Sequence, residues 1–221
     1  MQQLAVIFDA DGVLVDSYEA HFESWRRLYG ELGLEYSETA FAADFGRTSR
    51  DILTRSLGDV TDERVRELDG RKEAYYREII REHFPAMDGA AELLEALAAA
   101  GVHMAIGSSG PPENTAIVLH KLPGAKHIEA AVTGADVTRG KPDPQVFQIA
   151  AERLGVEPAN CAVVEDALHG IEAAKRAGMA AIALVGTMQR DAFAQADLVV
   201  DRLRELSPGV ICNLILSRED R

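Results

Sequence analysis

Short, solid runs of apolar residues recur along this chain, and each run ends at a small or acidic residue. Leu4 to Phe8 is followed by Asp9, and the later runs have the same form: Val102 to Ile106, Cys161 to Val164 and Ala180 to Val185. Runs this short and this apolar are typical of strands that are buried on both faces. A sheet made of such strands must be covered by helices on both sides, and this requirement constrains the fold strongly.

Helical patterns lie between these runs. One apolar stripe extends from Leu93 to Ala98, a second from Val146 to Leu154, and a third from Leu168 to Ala177. A glycine follows each stripe closely, as at many helix ends. Strand and helix therefore alternate, which predicts an α/β fold with a doubly wound parallel sheet and right-handed crossovers.

The segment from Ser17 to Pro85 breaks this alternation, because it is charged, helical in pattern and without a convincing strand. We predict that residues 17–86 form an inserted α-helical domain and that residues 1–16 and 87–221 form the α/β domain. An insert of about 70 residues is marginally stable alone. We therefore expect it to depend on the α/β domain through its two connections.

Composition excludes several classes of protein. The chain has 221 residues, with 36 acidic and 23 basic side chains and a net charge of −13. A nucleic-acid partner is not expected, because binding phosphates on a duplex needs a clustered basic face.

No apolar run approaches the ~20 residues of a membrane helix, and no basic region precedes the first apolar run. We predict a cytoplasmic protein without a membrane partner, a monomer with a dimer as the alternative. Cys161 and Cys212 are predicted to be reduced thiols and not a disulfide.

Polar residues follow the predicted strands at the sites where an open parallel sheet binds ligands. They are Asp9 and Asp11, then Ser108 and Ser109, then Glu165 and Asp166, and the loop at Lys141 adds one cation. Carboxylates gathered in one crevice repel each other. A Mg²⁺ ion bound through one or two carboxylates and a substrate phosphate would offset this repulsion.

The order of these motifs resembles that of the haloacid dehalogenase superfamily, a group of aspartate-nucleophile phosphotransferases. The resemblance rests on Asp9-Ala10-Asp11-Gly12, then Ser108, then Lys141 before Pro142, then the Glu165-Asp166 pair. It covers essentially the whole chain and implies a Rossmann-like core. The helical insert resembles the cap of the subgroup that contains β-phosphoglucomutase and many small-molecule phosphatases.

The resemblance also implies roles. Asp9 would attack phosphorus and become an aspartyl phosphate, and Asp11 would act as the general acid and base. Phosphate oxygens would be met by Ser108, Ser109 and Lys141. The Mg²⁺ ligands would be Asp9, the backbone carbonyl of Asp11 and Asp166, with Glu165 as a further candidate that is better suited to support the ligands.

Three residues of the insert are predicted to contact the substrate: His21, Arg47 and Lys72. In the subgroup a histidine at the position of His21 faces the active site, although a helix histidine that only packs beneath the insert is an equal alternative. Arg47 stands in a stretch that resembles a substrate-specificity loop. Most other cations of the insert are expected to be solvated.

The sequence thus predicts a Mg²⁺-dependent phosphatase that acts on a small phosphorylated metabolite, such as a sugar phosphate. The first alternative is a β-phosphoglucomutase that interconverts glucose 1-phosphate and glucose 6-phosphate. A non-catalytic phosphate-binding regulatory protein is the alternative of another class. The shared motifs do not identify the substrate.

Overall fold

The structure is a computed structural model that describes residues 2–186 and 188–218. The chain divides into two compact units, which we describe separately. The core unit comprises Met1–Asp16 and Pro85–Arg221, and the helical unit is Ser17–Phe84.

The described part of the core unit contains one six-stranded sheet with the order β3-β2-β1-β4-β5-β6. Every neighbouring pair of strands is parallel, which confirms the predicted α/β, doubly wound class. The strands are β1 (Ala5–Phe8), β2 (His103–Gly107), β3 (Ala130–Val132), β4 (Cys161–Glu165), β5 (Ala180–Leu184) and β6 (Leu198–Val200). The apolar runs did not predict the two edge strands β3 and β6, which have three residues each and are only partly buried.

Helices flank this sheet on both faces. The α-helices among the described residues are α1 (Tyr18–Glu31), α2 (Glu38–Asp44), α3 (Ser49–Leu57), α4 (Asp62–Glu82), α5 (Ala90–Ala99), α6 (Pro112–Lys121), α7 (Gln145–Leu154), α8 (Leu168–Arg176) and α9 (Pro208–Leu216). Pro144 is the N-cap residue of α7, and the carboxylate of the preceding Asp143 accepts a hydrogen bond from the Gln145 amide at 3.1 Å.

Alternation along the strands supplies a core on each side of the sheet. On one side, Ile7 and Val163 pack with Phe147 of α7 and Ile171 of α8, all at 1% exposure or less. On the other side, α5 packs against β2 and α9 against β4. Both faces of the central strands are thus covered, which explains their uninterrupted apolar sequences.

The two ends of the helical unit leave the core unit side by side. The Asp16 amide donates to the Pro85 carbonyl at 2.8 Å, and the Met87 amide donates to the Leu14 carbonyl at 3.0 Å. Val15 and Ala86 form an antiparallel bridge between these contacts. The chain therefore leaves the core unit and returns to it at one short, hydrogen-bonded ladder.

The helical unit, which is described throughout, contains α1 to α4 and no strand. Helix α1 packs along α4, and the buried cluster between the helices is rich in aromatic residues. Its members include Trp25, Leu28, Tyr29, Phe41 and Leu68. Each of α2, α3 and α4 begins with a Ser or Thr whose hydroxyl accepts a backbone amide, as expected of N-cap residues.

Among the described residues, no helix has the length and apolarity that crossing a membrane requires. Both cysteines are free; Cys161 is buried and Cys212 is partly buried.

Candidate active site

Asp9 lies directly after β1, at the carboxyl end of the central strand of the sheet. Its amide donates to the Val164 carbonyl of β4 at 3.0 Å, which ties the residue to the neighbouring strand. The residue is only 8% exposed. A carboxylate fixed in this way at the end of a strand has a defined direction and little freedom to move.

Lys141 joins the ends of β1 and β4. Its Nζ atom donates to Asp9 Oδ1 at 2.6 Å and to Glu165 Oε1 at 2.7 Å. The same ammonium lies over the Phe147 ring, 4.8 Å from its centroid. Three contacts from three elements therefore fix a residue that the sequence alone placed only in a loop.

The loop that carries Lys141 is fastened at both ends. Gln145 Oε1 accepts hydrogen bonds from the Thr138 amide at 2.9 Å, the Thr138 hydroxyl at 3.2 Å and the Arg139 amide at 3.0 Å. Upstream, Asp136 accepts from the Thr133 amide at 2.8 Å and pairs with Arg153 at 2.5 Å. The Arg153 side chain and these hydrogen bonds lower the pKa of Asp136 from 3.8 to about 2.

Glu165 has partners on both carboxylate oxygens. Oε1 accepts from Lys141, and Oε2 accepts from the Ala167 amide at 2.7 Å. The residue is 1% exposed. This arrangement suits a residue that supports Lys141 better than one that would bind a metal directly.

The ends of β1 and β2 approach each other at Gly110. A Cβ atom added to this glycine would lie 3.3 Å from Ser108 Oγ and 3.9 Å from Asp11 Oδ2. Ser108 is buried and accepts the Gly110 amide on its hydroxyl at 3.0 Å, whereas Ser109 is exposed. The Asp11 carboxyl and the Ser108 hydroxyl therefore lie close together, on either side of Gly110.

Asp166 lies against the turn that follows Asp9. A Cβ atom on Gly12 would come within 2.0 Å of Asp166 Oδ2, and Gly12 also has a φ of +74°. Both the close approach and the left-handed backbone require glycine at this position. The glycine of the motif thus allows the second acidic motif to reach the first.

These carboxyl groups carry more negative charge than the cluster neutralises. Burial raises the pKa of Asp9 to about 7; Lys141 opposes this rise, while Glu165 and Asp11 add to it. Burial also raises the pKa of Asp166 well above its usual value, with Glu165 and Asp9 contributing. Burial alone would lower the pKa of Lys141, but Asp9 and Glu165 outweigh it and raise that pKa.

The donor chemistry fits a hard divalent cation. The available atoms are the carboxylate oxygens of Asp9 and Asp166 and the backbone oxygen of Asp11, and oxygen-only sets suit Mg²⁺. In the described part of the chain, no three His, Cys, Asp or Glu side chains form a metal-binding group. With two carboxylates and one backbone oxygen as ligands, an ion held here would leave positions for water and substrate, as Mg²⁺ usually does.

In the helical unit, His21 and Lys72 are brought together. Lys72 Nζ lies 2.7 Å from His21 Nδ1 and 2.7 Å from Glu73 Oε1. The His21 ring stacks on Tyr76 with centroids 4.1 Å apart, and the Lys72 ammonium lies 5.3 Å from the centroid of the same ring. A lysine that is 4% exposed is thus held by an imidazole, a carboxylate and aromatic faces.

Arg47, the third residue predicted to contact the substrate, is in different surroundings. It is exposed, and its Nε atom lies 3.8 Å from Asp44 Oδ1 and 3.5 Å from the Ala43 carbonyl. Both contacts lie within its own turn of the chain. The structure therefore places His21 beside Lys72, whereas the contacts given for Arg47 are with its own turn.

Sequence reasoning missed two residues that shape the core-unit cluster. Phe147 supports Lys141 and also blocks any side chain at Gly107, where a Cβ atom would lie 2.9 Å from the ring. Gly170 makes the closest approach to Glu165, with a Cβ position 1.8 Å from Oε1. A glycine inside the helical pattern of α8 was the available signal, because such a glycine is unfavourable unless packing requires it.

Comparison with known proteins matches residues 4–178 to the model of the haloacid dehalogenase-like hydrolases. The chain is 33% identical over 200 residues to validoxylamine A 7'-phosphate phosphatase of Streptomyces hygroscopicus, covering 90% of this chain and 94% of that protein. It is 33% identical over 211 residues to β-phosphoglucomutase of Bacillus subtilis, covering 92% and 91%. A solved family IA HAD hydrolase of Entamoeba histolytica superposes with a TM-score of 0.88, at 25% identity and 98% and 100% coverage.

Proposed function

The chain belongs to the haloacid dehalogenase-like hydrolases, and from this premise we propose that it is a Mg²⁺-dependent phosphatase of a small phosphorylated metabolite. It is an enzyme of the β-phosphoglucomutase-like and small-molecule phosphatase group, as its sequence predicted. The observation that carries the proposal is the position of Lys141 between Asp9 and Glu165.

Asp9 would act as the nucleophile. Its carboxylate is held from one side by Lys141, so one oxygen stays directed while the other can approach phosphorus in line. Attack forms the bond from Asp9 to phosphorus and breaks the bond to the leaving oxygen, which gives an aspartyl phosphate. Water then attacks the phosphorus, the bond between phosphorus and the Asp9 oxygen breaks, and inorganic phosphate and the free Asp9 carboxylate are formed.

Asp11 would transfer the protons. It would protonate the leaving oxygen in the first step and accept a proton from water in the second. Ser108, Ser109 and Lys141 would meet the oxygens of the transferred group, where charge is greatest in the transition state. Asp9, Asp166 and the backbone oxygen of Asp11 would hold Mg²⁺, which neutralises phosphate charge when bound.

Substrate recognition is proposed to involve His21, Arg47 and Lys72 of the helical unit. His21 and Lys72 offer a preformed hydrogen-bonding pair, and Glu73 balances the lysine charge. A hydroxyl-rich, neutral group suits such a pair. Relatives named as phosphatases of phosphorylated carbohydrates and of fructose 1-phosphate support a sugar phosphate as the substrate. The cytoplasmic location and the monomeric state stay predictions.

A β-phosphoglucomutase is the second candidate, because the Bacillus subtilis mutase is as similar in sequence as the phosphatase relative. The enzyme would be incubated with β-glucose 1-phosphate, Mg²⁺ and a trace of glucose 1,6-bisphosphate. Phosphate release without glucose 6-phosphate supports the phosphatase. Rapid glucose 6-phosphate formation with little phosphate release would establish the mutase instead.

The central test combines turnover with trapping of the intermediate. Wild type should hydrolyse p-nitrophenyl phosphate with Mg²⁺, lose this activity in EDTA and regain it with excess Mg²⁺. Acid quenching during turnover should give a protein heavier by one phosphoryl group, located at Asp9 by peptide mass spectrometry. Asp9→Asn should remove both signals while circular dichroism shows an intact fold. Hydrolysis by Asp9→Asn at a tenth of the wild-type rate would disprove covalent catalysis at Asp9.

A further inference from the structure

Gly170 stands inside α8, at a position where glycine has no conformational reason to be. Its φ is not in the left-handed region, and glycine in a helix costs roughly 1 kcal/mol relative to alanine. Other helix glycines of the described chain have room for a side chain: Gly30 and Gly70 have no atom within 4 Å of the Cβ position, and Gly209 has its nearest at 3.9 Å.

The space beside Gly170 is filled by the Glu165 carboxylate. A Cβ atom on Gly170 would lie 1.8 Å from Oε1, 1.9 Å from Cδ and 2.5 Å from Cγ. Such distances exclude any side chain unless Glu165 or the helix moves. The helix is pinned, because Ile171 and Ala174 of α8 are at most 1% exposed in the core beneath the sheet. Glu165 would therefore have to move.

Movement of Glu165 would be transmitted to the catalytic cluster. The oxygen nearest to Gly170, Oε1, is the one that accepts from Lys141 Nζ at 2.7 Å, and the same Nζ donates to Asp9 at 2.6 Å. We propose that Gly170 is a positioning residue for Lys141: without a side chain, it lets the Glu165 carboxylate occupy the place that holds the ammonium against Asp9. The inference rests on the proposed function for its consequences in turnover and in phosphate binding.

The test is a double-mutant cycle with Gly170→Ala and Glu165→Gln. We expect Gly170→Ala to lower kcat/KM for p-nitrophenyl phosphate about 10²-fold, the usual loss for a misplacement near 1 Å. Calorimetry should also show weaker binding of inorganic phosphate, by about tenfold, since a charge-assisted hydrogen bond is lost or lengthened. All measurements are made well below the melting temperature of each variant, so that partial unfolding does not contribute.

The cycle separates positioning from general stability. In the Glu165→Gln background, adding Gly170→Ala should cost less than about threefold, because both changes act on the same contact. Gly209→Ala, in the same unit, is the matched control and should keep wild-type kinetics and phosphate affinity. Wild-type phosphate affinity in Gly170→Ala, or losses that multiply in the double variant, would overturn the proposal.

A second variant covers the case in which Gly170→Ala fails to fold. Glu165→Ala removes Cγ, Cδ and the carboxylate, so Gly170→Ala with Glu165→Ala should fold, with phosphate binding still weakened. A combined variant that remains unfolded would place the clash elsewhere and refute the inference. Phosphate binding does not require turnover; absence of hydrolysis by wild type would thus count against the proposed function alone.

Discussion

Each unit of this protein contains a lysine whose side chain is nearly removed from solvent, and the two are stabilised differently. Lys141 in the core unit lies between two carboxylates and over one aromatic ring. Lys72 in the helical unit has one carboxylate, one imidazole and two aromatic rings. The first cluster therefore has an excess of negative charge, whereas the second has one cation for one anion.

This difference indicates which cluster is built for chemistry. Buried carboxylates that exceed their cations are costly unless another cation joins them, and such excess is typical of sites that bind a metal and an anionic substrate. A lysine and a carboxylate that pair against aromatic rings need no further charge. Such a pair is suited equally to stabilising the fold and to binding a neutral group. The core-unit cluster needs a further cation to balance its carboxylates, whereas the charges of Lys72 and Glu73 balance each other.

The largest expected effect comes from removing the cation of the unbalanced cluster. Lys141→Met should lower kcat by about 10²–10³-fold, because a donor to the transferred phosphoryl group is lost. It should also lower the free energy of unfolding by about 3–5 kcal/mol, since Asp9 and Glu165 lose their shared partner. Urea denaturation and steady-state kinetics measure both. A loss of stability no larger than that of Lys72→Met would contradict the comparison.

Lys72→Met should cost less, about 1–3 kcal/mol, because it leaves one partly buried carboxylate without its charged partner. The matched variant is Lys72→Met with Glu73→Gln, which removes both charges together. We expect it to recover most of the lost stability, and thermal unfolding followed by circular dichroism provides the measurement. If the double variant is no more stable than the single one, the Lys72 cluster is not a balanced pair.

The stability of the protein should depend on pH through Asp136, which fastens the loop that carries Lys141. Its pKa is lowered from 3.8 to about 2, so the stabilisation is fully present above the ordinary value and is lost as the pH falls through the folded one. Asp136→Asn should therefore destabilise the protein by about 1 kcal/mol at pH 7. This difference from wild type should shrink between pH 4 and pH 2 in urea titrations. A difference that is constant down to pH 2 would contradict the assignment.

The smallest expected effect is a gain in stability from a substitution in the helical unit. Gly70 lies within α4 with no atom near its Cβ position, so Gly70→Ala should stabilise the protein by roughly 0.5–1 kcal/mol. The same change at Gly12 of the core unit should be strongly unfavourable, because Asp166 occupies the space. Melting temperatures of the two variants should therefore move in opposite directions. A stabilising Gly12→Ala would show that the acidic motifs are not in contact.

The central part of the fold could be predicted because its sequence signals are strong. The buried strand β1 is apolar at every position and β4 at every position before Glu165, and acidic residues mark the ends of both strands. The edge strands β3 and β6 were missed because three half-buried residues form no recognisable pattern. Asp9, Lys141 and Glu165 were predicted as one group from their positions at the strand ends and in the following loop, and the family resemblance assigned their roles.

Other features of the site could not be predicted, because they depend on close packing. Phe147 reads as one more apolar residue of the α7 stripe, and nothing in the pattern shows that its ring lies beneath an ammonium. Gln145 resembles an ordinary polar residue at a helix start, although its side chain fastens the loop that carries Lys141. Of these three residues, Gly170 alone gave a signal in the sequence, because a glycine inside a helix is unfavourable unless packing requires it.

The ladder that joins Asp16 to Pro85 has a consequence for how such a protein can change over evolution. Seen from the sheet, the chain from Ser17 to Phe84 is equivalent to a tight turn, because it departs and returns at neighbouring hydrogen bonds. Closing a longer excursion adds only about 0.6 kcal/mol for each doubling of its length. An excursion of another length or sequence could therefore replace this one while the strands keep their register, so that the two units are free to evolve at separate rates.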